Sequence, residues 1–213
     1  MSAELVAHRA GNRADTALAV GDRADMIELD VHVLYGRVEL RHEKVFRPTR
    51  RLWERWYVLP RESRGTEISE VLEALDPSVP LMLDLKCFTR RAARRIRDAV
   101  PSNRNIVAST RNWWVLSAFP ATDDAVEPAV RRLRSCRSRW QVALALKIRG
   151  LDRGTGVVAH HEILDAALVG RIRARTPHLF TWAVPDPSRA AELVEWGVTG
   201  LIVDDLDQRW PRH

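Results

Sequence analysis

Residues 26–42 read MIELDVHVLYGRVELRH, a stretch that alternates like a β-strand but carries acids where apolar residues are expected. Because successive strand side chains point to opposite faces, Glu28, Asp30 and His32 share one face while apolar side chains occupy the other. Two carboxylates two residues apart repel each other and resist burial unless a cation or a basic partner lies between them. This strand therefore indicates a metal site or a basic partner, and other parts of the chain must supply the remaining groups.

The same stretch turns at Tyr35 and Gly36 into a second alternating run, which is typical of a β-hairpin. On either side, short apolar β-rich runs alternate with helical patterns. The strand-like runs are residues 4–9, 26–31, 80–86, 105–110, 141–147, 156–161, 178–184 and 200–205. The helical patterns cover residues 13–24, 67–76, 89–100, 112–119, 124–138, 162–175 and 187–196.

Eight strand-like runs that alternate with helices predict a parallel sheet, and the number eight favours a sheet closed on itself. The predicted fold is an α/β (β/α)8 TIM-type barrel, compact for its class, with a short β-hairpin extension after the second strand. An open doubly wound sheet is the alternative. A length of 213 residues with 46% hydrophobic content suits one barrel domain over residues 1–213.

Composition excludes several classes of protein. No run approaches 18 apolar residues, so we expect no transmembrane segment, and residues 1–9 lack the pattern of a signal peptide. The two cysteines, Cys87 and Cys136, lie far apart without a CxxC pattern, which argues against a disulfide framework or a zinc site. A cytoplasmic location is therefore expected.

The formal net charge is +6, and all but three of the 34 basic residues are arginines. Runs such as residues 89–98 place these arginines at helical spacing around apolar positions, which is typical of a solvated helix face. A general attraction to anionic partners or substrates is the other interpretation. Aromatic residues do not interleave with the arginines along one strand or helix, so we expect no specific nucleic-acid binding.

Polar residues end several of the strand-like runs. Active sites of (β/α)8 barrels lie at the carboxyl ends of the strands, so these residues are the candidates for chemistry. They are His8 and Arg9, Glu28 and Asp30, His42 after the hairpin, Asp84 and Lys86, Trp182, and Asp204. A single acid at a strand end is more often a helix cap, but together these residues crowd the mouth at the first three strands.

The ordered set of these motifs resembles the glycerophosphodiester phosphodiesterase family. The motifs are AHR (7–9), IELDVHV (27–33), LRHE (40–43), LMLDLK (81–86), FTWAVPDP (180–187) and GVTGLIVDD (197–205). The resemblance extends over residues 5–205 and implies the same barrel fold. The chain departs from the family pattern at Ala10, which replaces the glycine of HRG. It departs again at residues 13–16, which read RADT where the family commonly has Pro-Glu-Asn-Thr, so the loop acid usual in the family is missing. Glu43 and Asp84 exchange aspartate and glutamate relative to that pattern.

The resemblance implies hydrolysis of a glycerophosphodiester to glycerol 3-phosphate and an alcohol. A hard cation, Mg²⁺ or Ca²⁺, held by carboxylates would stabilise the charge that a phosphate gains during the reaction. We assign Glu28, Asp30 and Asp84 as its ligands. The resemblance implies that His8 and His42 form the acid–base pair, leaving open which is the acid and whether water attacks directly. We assign the contacts with the phosphate or the rest of the substrate to Arg9, Lys86 and Trp182.

Two alternatives stay open at this point. One is a phosphodiesterase that acts on lysophospholipid or sphingomyelin head groups, and the other is a catalytically inactive barrel that binds a phosphorylated ligand. A small-molecule phosphodiester is the expected partner, and the oligomeric state is undetermined by the sequence. The segment 43–65 follows His42 and is rich in arginine and aromatic residues, namely Phe46, Arg47, Arg50, Arg51, Trp53, Arg55, Trp56 and Tyr57. It is either a loop with one helical turn packed on the rim or a basic, aromatic lip beside the site.

Overall fold

The computed structural model of the chain describes residues 3–20, 23–46, 51–54, 57–60, 63–122, 128–148 and 154–211, and at 44–46, 51–54, 57 and 59 only the backbone is described. The strands are β1 Glu4–Ala7, β2 Met26–Leu34, β3 Arg37–Leu40, β4 Lys44–Phe46, β5 Arg51–Glu54, β6 Tyr57–Leu59, β7 Thr66–Glu67, β8 Leu81–Leu85, β9 Ile106–Thr110, β10 Val130–Cys136, β11 Thr155–His160, β12 Leu179–Trp182 and β13 Gly200–Val203. The helices are α1 Ala14–Val20, α2 Ile68–Ala74, α3 Arg90–Ala99, α4 Arg139–Lys147, α5 Ala166–Arg173 and α6 Pro187–Trp196. Single 3₁₀ segments cover Ala10–Asn12, Trp113–Ala118 and His161–Ile163.

Eight of these strands form a closed parallel barrel. The order around the ring is β1-β2-β8-β9-β10-β11-β12-β13, and β13 returns to β1 through the pairs Glu4–Gly200 to Ala7–Val203. On the other side β1 pairs with β2 at Val6–Met26. The predicted (β/α)8 barrel is therefore confirmed, and the open-sheet alternative is wrong.

The barrel interior is closed by one apolar side chain from each strand. This layer consists of Val6, Met26, Met82, Val107, Leu133, Val158, Phe180 and Ile202. Each of these side chains is at most 3% exposed, so the centre of the barrel is a packed plug rather than a pore. This layer therefore blocks the barrel interior below the mouth. It also fixes which residues of each strand face the mouth.

The helices cover the outside of the barrel with one apolar side. On α3, Ala93 and Ile96 are fully buried against the sheet while the arginines of the helix are exposed. Thr89 caps this helix by accepting a hydrogen bond from the Ala92 N–H. The arginine-rich run thus has the arrangement of a solvated helix face, as its spacing predicted. No helix in the described part of the chain is long and apolar enough to cross a membrane.

The fifth strand differs from the prediction. Residues 124–138 were expected to be helical and 141–147 to be a strand, whereas the strand is β10 and α4 follows it. The reason is that β10 reads VRRLRSC, in which Leu133 is the one residue that belongs to the apolar interior layer. Its arginines are held by neighbours: Arg131 pairs with Glu4, and Arg134 donates to the Ala145 carbonyl. These partners are distant in sequence, so the local pattern resembles a solvated helix.

The hairpin after the second barrel strand is confirmed. β2 runs beyond the ring and turns at Tyr35 and Gly36, which have φ values of 47° and 85°, as a tight hairpin turn requires. β3 then returns antiparallel to β2. The chain continues into a separate three-stranded antiparallel sheet, β4-β5-β6, rather than the loop and helical turn that were one interpretation of this segment.

Candidate active site

A polar layer lies directly above the apolar plug, at the carboxyl ends of the barrel strands. Because strand side chains alternate, the residue two positions beyond each interior residue faces the barrel axis again, one layer nearer the mouth. In chain order these positions are His8, Glu28, Asp84, Ser109, Ser135, His160, Trp182 and Asp204. The sequence thus changes from apolar to polar at the end where barrel active sites are found.

Arg9 organises the loop after β1. Its backbone is left-handed, with φ 55° and ψ 6°, a conformation that non-glycine residues hold only where surrounding contacts fix it. Its N–H donates to Glu28 Oε2 at 2.7 Å, and its guanidinium donates to His42 Nε2 at 2.6 Å. The guanidinium also lies 4.0 Å from Asp30 Oδ2. One strained residue therefore contacts groups from two other parts of the chain, β2 and the segment after β3.

Ala10, the departure from the family's HRG pattern, is accommodated by the backbone. It begins the 3₁₀ segment Ala10–Asn12 and does not have a positive φ. The position that requires a glycine is the next one, because a Cβ atom on Gly11 would lie 2.2 Å from Leu29 Cδ2. The missing side chain lets the loop pack closely on β2, so the loop keeps its approach to the site despite the alanine.

The three acids named from the sequence form one cluster. Asp30 on β2 lies opposite Asp84 on β8 in the parallel ladder, and Glu28 lies two residues before Asp30 on the same face. One carboxylate oxygen from each lies within 4.8 Å of the other two. Glu28 and Asp30 are 2% and 1% exposed, whereas Asp84 is partly open to the mouth.

Lys86 and Asn12 neutralise and orient part of this cluster. The Lys86 ammonium lies 2.7 Å from Asp30 Oδ1 and also pairs with Asp84. Asn12 donates from Nδ2 to Asp30 Oδ2 at 3.0 Å and accepts from the Asp30 N–H at 2.9 Å. Burial opposes ionisation of Asp30, but Lys86 and Asn12 hold its pKa below the usual value. Burial also opposes the charge of Lys86, yet the Asp84 and Asp30 carboxylates raise its pKa above the usual value.

Glu28 is the carboxylate that lacks sufficient compensation. Burial raises its pKa well above the usual value, and the Asp30 and Asp84 charges raise it further, against the opposing effect of Lys86. Three acids with one lysine leave an excess of negative charge, which a cation would stabilise. An all-oxygen donor set suits Mg²⁺ or Ca²⁺, and two oxygens bound to one Ca²⁺ at about 2.4 Å lie at most about 4.8 Å apart. Donor type, spacing and charge therefore fit a divalent cation.

The two candidate acid–base histidines reach the mouth from different elements. His8 follows β1, and its Nδ1 lies 2.5 Å from Asp204 Oδ1, at the end of β13. This hydrogen bond lowers the pKa of Asp204. His42 follows β3, and the hairpin is fixed there by the Arg41 N–H, which donates to the Asp30 carbonyl at 3.0 Å. The structure thus brings both histidines to the rim of the same small cavity of about 100 Å³, which the three acids also line.

Trp182 borders this cavity on the side opposite β2. Its ring packs edge-on against His160, with centroids 4.8 Å apart, and the Arg137 guanidinium lies over the ring at 5.2 Å. His160 also stacks on His161, with centroids 4.8 Å apart. The Trp182 ring is therefore fixed by its neighbours and forms one wall of the mouth.

A larger cavity of about 800 Å³ adjoins the small one, between the β2–β3 hairpin and the start of α3. Arg9, His42 and Lys86 line both cavities. The walls of the larger cavity include four apolar side chains, Val33, Leu34, Leu85 and Phe88. His32, which shares a strand face with Glu28 and Asp30, lines this cavity rather than the small one, and burial lowers its pKa to about 4.

Sequence reasoning missed Asn12, Arg111 and Arg137 as residues of the mouth. Arg111 follows β9 and Arg137 follows β10, and both line the two cavities. Counting in steps of two from Val107 and Leu133 reaches both arginines, so the signal was present once the strands were assigned correctly. Asn12 could not be found this way, because it lies in a loop and acts through its contact with Asp30.

The segment 43–65 contributes nothing to this description of the site. Arg47, Arg50, Arg55 and Trp56 lie outside the described residues, and only the backbone is described at Phe46, Arg51, Trp53 and Tyr57. The basic, aromatic lip therefore stays a prediction.

No protein-family model and no curated protein matches the sequence. Solved structures match it over most of its length. A glycerophosphodiester phosphodiesterase from Thermotoga maritima is 17% identical with a TM-score of 0.72, covering 97% of this chain and 96% of that one. A phosphodiesterase from Oleispira antarctica, solved with the product sn-glycerol-3-phosphate, is 17% identical with a TM-score of 0.68, covering 95% and 93%. A glycerophosphodiester phosphodiesterase from Parabacteroides distasonis is 16% identical with a TM-score of 0.66 at the same coverage. At these identities the similarity establishes a shared barrel fold.

Proposed function

We propose that this chain is a metal-dependent phosphoric diester hydrolase that converts glycerophosphodiesters to glycerol 3-phosphate and an alcohol. The observation that carries the proposal is the cluster of Glu28, Asp30 and Asp84, beside two histidines at the mouth of one barrel. Buried acids that repel each other destabilise a fold, so their concentration at the carboxyl ends of the strands indicates a functional site.

Mg²⁺ or Ca²⁺ is the cofactor that suits these three acids. When bound, such a cation polarises a phosphoryl oxygen and offsets the charge that the phosphate gains in the transition state. Lys86 forms ion pairs with two of the acids and adds positive charge at the phosphate. Arg9 has a fork of donors suited to the remaining phosphate oxygens. Trp182 provides a flat apolar wall for the glycerol carbons.

The contacts of the two histidines support different roles for them. A guanidinium only donates, so the Arg9 contact requires an unprotonated Nε2 on His42. When Arg9 turns to the substrate phosphate, this nitrogen becomes free to accept the proton of the attacking hydroxyl group. His8 instead donates from Nδ1 to the Asp204 carboxylate, which holds the imidazole ring in place at the mouth. We therefore assign His42 as the general base and His8 as the general acid that protonates the leaving alcohol.

The similar structures agree with this reaction, since those from Thermotoga maritima and Parabacteroides distasonis are glycerophosphodiester phosphodiesterases. The Oleispira antarctica structure holds sn-glycerol-3-phosphate, the product that the proposed reaction would release.

We propose that the protein acts in the cytoplasm. Cys87 and Cys136 are free and buried, and burial raises their thiol pKa values to about 11 and 12, so neither is a nucleophile for this chemistry.

A second candidate substrate is a lysophospholipid. The observation that favours it is the cavity of about 800 Å³ beside the mouth, because Leu34, Leu85 and Phe88 give it apolar walls that a short acyl chain could contact. The reaction would be the same, with the glycerophosphate part of the lipid at the acids.

The test is a panel of glycerophosphodiesters and one lysophospholipid, assayed for alcohol release with added Mg²⁺ or Ca²⁺ and with excess chelator. We expect release from the glycerophosphodiesters that stops in chelator and returns on adding the cation. Preference for the lysophospholipid would support the second candidate. No release from any member, with phosphate-ligand binding retained, would identify an inactive binding barrel, and full activity in chelator would refute the metal requirement.

A further inference from the structure

The charged groups of the mouth are divided between its two sides. The acids lie on β2 and β8, where Glu28, Asp30 and Asp84 cluster. The next two strands, β9 and β10, end in Arg111 and Arg137, which line both the small cavity and the larger one. Neighbouring strands of a sheet lie about 4.8 Å apart, so β9 is one spacing and β10 two spacings from β8 around the ring. The arginines therefore share the small cavity with the acids and continue the site into the larger cavity.

The arginines on this side are not balanced by acids. Among the described residues, neither Arg111 nor Arg137 has a carboxylate within ion-pair distance, whereas Lys86 pairs with Asp30 and Asp84. Arg137 is held in place over the Trp182 ring. Partial burial lowers the pKa of Arg137, and the neighbouring Arg111 charge lowers it further, although Asp84 opposes this. Two like charges that face one cavity are stabilised when an anion binds between them.

We propose that Arg111 and Arg137 form a second anion subsite, which selects glycerophosphodiesters whose alcohol carries a phosphate group of its own. This proposal rests on the proposed function for the site as a whole. The scissile phosphate lies at the acids with Arg9 and Lys86, and the second phosphate lies one to two strand spacings away, toward the larger cavity, on the fork-shaped donors of the arginine pair. A polyol between the two phosphates spans this gap. A cationic alcohol such as choline meets two positive charges there and is disfavoured.

The kinetic test uses two substrates that differ by one group, glycerophosphoinositol and glycerophosphoinositol 4-phosphate. We expect the wild-type protein to have the higher kcat/KM for the phosphorylated substrate. In Arg111→Gln and in Arg137→Gln this preference should fall by about ten- to hundredfold, because each change removes charged hydrogen bonds to the second phosphate. Arg171→Gln, an exposed arginine of α5, is the matched control and should leave the preference unchanged. A wild-type protein without this preference, or variants that retain it, would overturn the proposal.

A binding measurement separates the subsite from the reaction. Inositol 4-phosphate, the alcohol that would be released, is titrated calorimetrically into wild-type protein, both arginine variants and the Arg171→Gln control in excess chelator. Binding that weakens about tenfold or more in the arginine variants alone supports the subsite even if no diester is hydrolysed, in which case only the proposed function fails. Hydrolysis of glycerophosphoinositol, with equal binding of inositol 4-phosphate by all four proteins, refutes the subsite and leaves the function standing.

Discussion

Replacing Glu28 by glutamine should stabilise the protein when divalent cations are absent and should weaken the stabilisation that a cation gives. The change keeps the shape of the side chain and an oxygen that can accept the Arg9 N–H, now 2.7 Å from Glu28 Oε2. It removes one of three negative charges that have a single lysine among them. The two effects have opposite signs because the same charge repels its neighbours and attracts a cation.

The cluster geometry sets the size of the first effect. Two unit charges 4.8 Å apart interact with about 3.5 kcal/mol at an effective dielectric constant of about 20. Glu28 faces two carboxylates, and the Lys86 charge offsets roughly one of them, so about 3.5 kcal/mol of net repulsion disappears in the variant. For a domain of this size, about 1 kcal/mol changes Tm by about 2–4 °C, and the variant should therefore melt about 7–14 °C higher in chelator.

The assay is thermal unfolding of wild type and Glu28→Gln in chelator and in excess Ca²⁺ or Mg²⁺. A cation at 100 times its Kd stabilises the wild type by about 2.7 kcal/mol, or about 5–10 °C. The variant should show a much smaller shift. Glu73→Gln, which changes an exposed acid on α2, controls for net charge. Our reasoning is refuted if Glu28→Gln melts no higher than wild type in chelator and gains as much from the cation.

Three further predictions test other parts of the site. His8→Ala and His42→Ala should each reduce kcat by about 10² to 10⁴-fold with unchanged circular dichroism. The activity of the wild-type protein should have a bell-shaped pH profile. Wild-type turnover in either variant would contradict the role of that histidine. Asp204→Asn should lower kcat with little change in KM, because it replaces the charged acceptor that orients His8 by a weaker, neutral one. An unchanged kcat would show that this contact is unimportant. Gly11→Ala should lower the free energy of unfolding, measured with denaturant, by about 1–3 kcal/mol, since the new Cβ would overlap a leucine of β2. The control is Gly170→Ala, where no atom lies within 4 Å of the new Cβ. This control should be neutral or stabilising by about 1 kcal/mol in the same measurement.

The barrel could be predicted because seven of its eight strands show an apolar run of their own. β10 could not, since Arg131 and Arg134 take their partners from residues distant in sequence or from a helix carbonyl. The sequence of α4 resembles that of a strand because its residues are mostly apolar. It has no charged face that would show the 3.6-residue period of a helix. A local sequence pattern reflects contacts between residues that are close in sequence. β10 and α4 depend instead on contacts that form only in the folded barrel.

The acidic part of the site was predictable from residue type and spacing alone. Carboxylates at positions where a strand should be apolar have few structural uses, so Glu28 and Asp30 mark their strand as a candidate site. Arg111 and Arg137 gave no such signal, because arginines are abundant in this chain and most lie on solvated surfaces. The contact between His8 and Asp204 joins the two ends of the chain, and only ring closure brings them together.

The hairpin that presents His42 divides the site into parts that can evolve separately. The three acids belong to the closed ring, where moving one strand disturbs every neighbour. His42 instead follows a strand that lies outside this ring and, among the described strands, pairs with the ring along β2. Insertions or deletions after this hairpin can therefore alter the size of substrate accepted while the spacing of the acids stays unchanged.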